Sequence, residues 1–277
     1  MTLRIRNRII LLLLFTSIII ALFISGLYIY AFLKNAIIAP VMPIRQFHFP
    51  TLNIFALRYN FHCSLIASAV FLFYSLFFLF WIFVRFEKTQ SPEIFYFCLF
   101  LCSTLCESFK LLVPLFALWQ TYSNNLLFIG RLILFGKFLA PISILMSSLF
   151  STETQMQDFE KNYTIVITLG AAFSLLIPIN TSQISTTCAI SWGFYNEFFL
   201  FRTLIFITAF ISSVLKGINK TFTPSALTVR LSFSLLLIIL SYALLASADN
   251  LLFLIAGSTL LFISTLRFLT NTHMLYY

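Results

Sequence analysis

The chain has 277 residues, of which 61% are hydrophobic and only 9% charged, with a formal net charge of +9 and a mean hydropathy of +1.02. Soluble domains carry about 25% charged residues, so this chain has too few to cover a water-facing surface. Soluble enzymes, disordered chains, collagen-like repeats and disulfide-stapled secreted scaffolds are excluded, leaving a polytopic membrane protein. Its apolar runs are about 20 residues long and do not alternate in polarity. Barrel strands need about 9–11 alternating residues, so helices are the expected elements.

In chain order, eight runs are expected to span: about 9–33, 63–84, 94–118, 126–150, 163–180, 196–215, 230–247 and 250–268. The fold class is an all-α, polytopic transmembrane helical bundle over residues 1–277, a single domain. Seven Gly and eight Pro mark no flexible linker. The first run follows Arg4, Arg6 and Arg8 and covers about 25 residues, longer than the 7–15 of a secretory core. No small-x-small cleavage site precedes Tyr28 and Tyr30, so it is expected to be a signal-anchor-like leading span. Residues 34–61 form a short outer segment with Pro40, Pro43, Pro50, Lys34, Arg45, His48 and Arg58, too short for a folded domain.

With both termini cytoplasmic, Arg4, Arg6, Arg8, Arg85, Lys88, Lys161, Lys216, Lys220, Arg230 and Arg267 fall inside. Lys34, Arg45 and Arg58 fall outside, and this asymmetry is the positive-inside pattern. It also accounts for the net charge without a nucleic-acid partner; the expected location is the plasma membrane, the inner membrane of a bacterial cell. The expected tail after the last span is short, with no kinase, cyclase or nucleotide-binding domain.

Cys98, Cys102 and Cys106 recur every four residues along the third run, a spacing read as small packing residues at a helix contact rather than a metal site. Cys63 and Cys188 both fall at the outer side and are a candidate disulfide.

Ionisable groups inside the spans carry the functional signal, because each costs about 2.5–3.5 kcal/mol to insert. Glu107 and Lys110 are three apart on the third run, Arg131 and Lys137 lie on the fourth, and Glu197 and Arg202 on the sixth. Four cations face two carboxylates, so complete internal pairing is impossible if all are ionised. Antiparallel packing of the third and fourth spans brings Glu107 toward Lys137, the expected structural ion pair. Glu107, Lys110, Arg131, Lys137 and Arg202 are the candidate ligand-binding set for a small anion or lipid head group. The opposing expectation is structural pairing, with Arg131 and Arg202 snorkelling to the interface.

Catalytic motifs are absent. The histidines are His48, His62 and His273, which do not form HExxH. Asp158 and Asp249 both lie in loops, which argues against an aspartyl intramembrane protease. There is no Gly-x-Ser-x-Gly and no phosphate-cradling Gly-x-x-x-x-Gly-Lys. The run 250–268 has no Lys for a retinal Schiff base. No catalytic residue, metal or cofactor is expected.

The layout of one leading span, a short outer segment and seven further spans is similar to bacterial seven-helix sensor modules, in architecture alone. The expected function is a non-enzymatic, receptor-like or accessory binding subunit with an outward-facing basic intramembrane pocket. Its partners are the lipid bilayer, the anion or head group, and another membrane or cytoplasmic protein. The alternative is a secondary transporter or permease for an anion or lipid, with Glu107 as the switching carboxylate. A lipid-modifying enzyme with His48 or His62 as base ranks last, since no second catalytic group accompanies either.

Overall fold

Without water, an apolar run must close its backbone hydrogen bonds within itself, and each long run here does so as a helix. The computed structural model describes residues 3–40, 58–87, 91–116, 118, 124–149, 159–218 and 225–276. Its helices are α1 (Leu3–Leu33), α2 (Phe61–Arg85), α3 (Pro92–Glu107), α4 (Asn124–Leu149), α5 (Phe159–Leu176), α6 (Tyr195–Ile218), α7 (Ser225–Ala246) and α8 (Leu251–Tyr276). Among the described residues, seven helices are long and apolar enough to cross a membrane. The exception is α5, whose apolar part is Lys161–Leu176. The expected fifth span to residue 180 is therefore corrected: the helix stops before Pro178, which cannot continue it. Much of the outer segment, including Arg45 and His48, lies outside the described residues.

Local chemistry sets the helix ends. α1 closes in a Schellman motif: Ala36 N–H reaches Ala31 O at 2.9 Å and Asn35 N–H reaches Phe32 O at 3.1 Å. Asn35 sits at φ 49°, a left-handed position that Asn tolerates. Asn60 caps α2 by accepting from the His62 N–H at 3.0 Å. Pro92 opens α3, where its missing N–H leaves no bond unmade. Asn250 accepts from the Phe253 N–H at 2.9 Å at the start of α8.

The third run departs from a single long helix. α3 ends at Glu107 and tightens into a 3-10 turn, Ser108–Leu112. Leu115 then forms an isolated bridge with Ile37 just beyond α1.

A second departure follows α5. Residues 181–195 were expected as an outer loop; instead the chain forms an antiparallel hairpin of β1 (Ile179–Ile184) and β2 (Ile190–Trp192). Ile184 to Ile190 are all buried, unlike ordinary loop residues. The Ser64 hydroxyl on α2 donates to Thr186 O at 2.7 Å, so the hairpin tip sits down on the bundle end.

α3 and α4 are the interior helices, with 83% and 72% of their apolar windows buried, against 17% for each of α1 and α6. Gly136 makes their contact close: a Cβ there would stand 2.7 Å from Cys106 Cβ and 2.7 Å from Ser103 O. Small side chains at a helix contact let backbones approach in this way. At one end of the bundle, Arg6 Nη2 donates to Phe86 O at 2.5 Å and Glu87 O at 3.0 Å. The Phe86 ring meets His273 at 5.5 Å, so the start of α1, the end of α2 and the end of α8 share that end. At the other end, Asn60 N–H meets Asp249 O at 2.8 Å and Tyr28 Oη donates to Leu111 O at 2.7 Å.

Candidate functional site

The close α3–α4 contact places the charged residues. Lys137 follows Gly136 on α4, and Glu107 follows Cys106 on α3. Lys137 Nζ lies 3.8 Å from Glu107 Oε1. The 3-10 turn brings Lys110 much nearer, its Nζ 2.5 Å from Glu107 Oε2. Three residues per turn stacks positions i and i+3 directly, so the winding change after Glu107 shortens this bridge. Lys110 Nζ also donates to Ala246 O at 3.3 Å, at the end of α7. Glu107, Lys110 and Lys137 are 0%, 2% and 4% exposed.

Two further groups complete the shell. Tyr242, one turn before the end of α7, donates from its hydroxyl to Glu107 Oε1 at 3.3 Å. Its ring is held at 5.8 Å from Phe71, 5.5 Å from Phe100 and 6.2 Å from Phe206. The Lys137 ammonium stands 4.9 Å from the Trp192 ring centroid, a cation–π contact. Sequence reasoning missed both Tyr242 and Trp192. Tyr242 is legible only as a hydroxyl inside the apolar run 230–247, and Trp192 lies in a segment read as loop. The β-branched run Ile179, Thr181, Ile184, Thr186, Thr187 and Ile190 was the available strand signal.

Arg202 enters from α6 and reaches the same charge field, acting electrostatically on both Glu107 and Lys137. Its Nε is buried and has no hydrogen-bond partner among the described residues. Lys137 and Arg202 line a narrow cleft between α4 and α6 together with Phe138, Trp192, Tyr195 and Phe199, closed too tightly in this state to hold a water molecule. From the hairpin tip, Cys188 faces Lys110 electrostatically; burial pushes its thiol up to about 12, against the opposing pull of the ammonium.

Arg131 stands apart from this group. Its Nη1 donates to Ser174 O and, at 2.6 Å, to Ile177 O, while the Ser174 hydroxyl donates back to Arg131 O at 2.7 Å. It satisfies carbonyls left over at the end of α5 and so ties α4 to α5. Glu197 is exposed on the first turn of α6. Cys63 and Cys188 are both buried free thiols, so the candidate disulfide is not formed. Cys106 packs against Gly136. Among the described residues, no three His, Cys, Asp or Glu side chains gather as a metal site. His62 is exposed at the start of α2.

One buried carboxylate thus pairs with two buried ammonium groups, with the half-exposed Arg202 in the same charge field, so among the described residues two positive charges lack a counter-ion when all four are ionised. Such an arrangement favours a bound anion and gives the carboxylate two competing partners. No family model, curated protein or solved structure matches the chain.

Proposed function

We propose that this multi-pass helical protein is a non-enzymatic binding subunit that holds an anionic group on Lys137 and Arg202 and reports its occupancy to a protein partner. The observation that carries this reading is the excess of cations around Glu107 among the described residues, where the buried Arg202 Nε also lacks an acceptor. A buried N–H without an acceptor is costly, and an anion admitted to the cleft removes that cost. The test is thermal melting of the purified protein in detergent at constant ionic strength, titrated with phosphate, sulfate and carboxylates, and with phosphatidic acid as a lipid-borne phosphate. Saturable stabilisation that Lys137→Met and Arg202→Gln abolish supports the reading. An unchanged melting temperature with every anion removes it.

A specific observation also favours the transporter reading: Glu107 stands between Lys110 at 2.5 Å and Lys137 at 3.8 Å. A carboxylate with two cationic partners can exchange between them as an anion arrives and leaves. Anion flux into proteoliposomes, lost in Glu107→Gln, separates this from a binding role.

A further inference from the structure

We infer that the anionic group is the phosphate of a lipid head group, admitted sideways from the bilayer between α4 and α6; this rests on the anion-binding reading above. The argument starts from which approaches to Lys137 and Arg202 are closed. Toward the end of the bundle, the buried hairpin tip covers the site, with Ile184 to Ile190 all enclosed. Inward, Lys137 meets Glu107, which Tyr242 closes off. Among the described residues, the remaining side is the α4–α6 cleft, and its rim is exposed and apolar. Phe199 on that rim is 41% exposed, and Leu200, Leu204, Ile207 and Ile211 continue an exposed apolar face down α6. An aqueous anion would have to cross this apolar face, whereas a lipid already lies against it with its acyl chains.

The depth also fits. Tyr195 begins the apolar span Tyr195–Leu215, and Tyr and Trp settle at the level of lipid head groups. Arg202 is seven residues further along the helix, about 10 Å deeper at 1.5 Å per residue. Its long side chain can lift the guanidinium back toward that level. A guanidinium fork beside a compact ammonium suits the oxygens of a phosphate. The Trp192 indole, stacked on Lys137 at 4.9 Å, then acts as the latch. It lies in the cleft wall and must leave the ammonium before a phosphate oxygen can take its place.

The test uses the full-length protein in detergent and native mass spectrometry to count retained dioleoyl phosphatidic acid, dioleoyl phosphatidylcholine and inorganic phosphate. The expected result is saturable retention of phosphatidic acid, weakened at least about tenfold in Arg202→Gln and restored only in part in Arg202→Lys, which keeps the charge but not the fork. Inorganic phosphate should neither bind nor displace it. If Arg202→Gln does not fold, Phe199→Trp narrows the rim without altering charge and should weaken retention of the lipid. Equal retention by wild type and the folded variants identifies surface lipid and overturns the inference. Binding of inorganic phosphate that displaces the lipid also overturns it, while leaving the anion-binding reading intact. Absence of binding by every probe overturns both.

Discussion

Glu107 and Lys110 form a 2.5 Å ion pair because the chain tightens from α-helix to 3-10 turn between them. The pair is enclosed, so its strength depends on both partners being present. Removing one charge from a buried pair costs about 3–5 kcal/mol, because the other is left uncompensated. Glu107→Gln should therefore sharply lower the melting temperature in detergent. Adding Lys110→Met should recover more stability than adding Lys137→Met, whose separation is 3.8 Å. Equal recovery by the two would show that the winding change does not decide the pairing.

Gly136 sets the approach of α3 and α4. Gly136→Leu places a branched side chain where even a Cβ lies 2.7 Å from Cys106 Cβ and Ser103 O. Over-packing of this kind typically costs about 1–3 kcal/mol, and here it also moves Lys137 away from Glu107. Gly26→Ala is the control: its added Cβ meets nothing within 4 Å, and the change should leave the melting temperature level or raise it. If both variants melt alike, close α3–α4 contact is not what organises the site.

The Arg131–Ser174 exchange predicts a local effect. Arg131→Met leaves the Ser174 and Ile177 carbonyls without their donor, at a cost of about 1–3 kcal/mol. Hydrogen exchange should quicken around residues 174–179, while anion binding should stay within about twofold of wild type. A large loss of anion binding would keep Arg131 in the ligand set.

Alkaline pH tests the bundle end that carries the hairpin. Burial holds the Cys188 thiol up to about 12, from an ordinary 9.0, and the Tyr59 phenol up to about 12, from an ordinary 10.0. In each case the folded state favours the neutral form. The associated stability is intact below the ordinary value and is lost as pH rises through the folded value. Melting temperature should therefore begin to fall near pH 9 and continue to about 12. Cys188→Ala should flatten the first part of that fall. At neutral pH, Cys63 and Cys188, both buried and free, should resist maleimide until the protein unfolds; prompt labelling of either would show that the hairpin does not seal this end.

Much of this architecture is legible in the sequence because a bilayer leaves the backbone few solutions. Runs of apolar residues must be helical, and the expected spans 63–84, 126–150 and 196–215 fall within a few residues of α2, α4 and α6. The charged residues were equally visible, since Glu107, Lys110, Lys137 and Arg202 interrupt apolar runs. Composition and periodicity thus determined a helical, multi-pass chain with costly intramembrane charges. They did not determine the grouping, because apolar periodicity cannot say which faces meet. Tertiary contact sent Arg131 to the carbonyls ending α5 and Arg202 toward Glu107. It brought Tyr242 from α7 onto the carboxylate and laid Trp192 over Lys137. Those outcomes depend on the separation of two backbones at Gly136 and on a hairpin folded down onto the bundle, distances that arise only once the chain is packed.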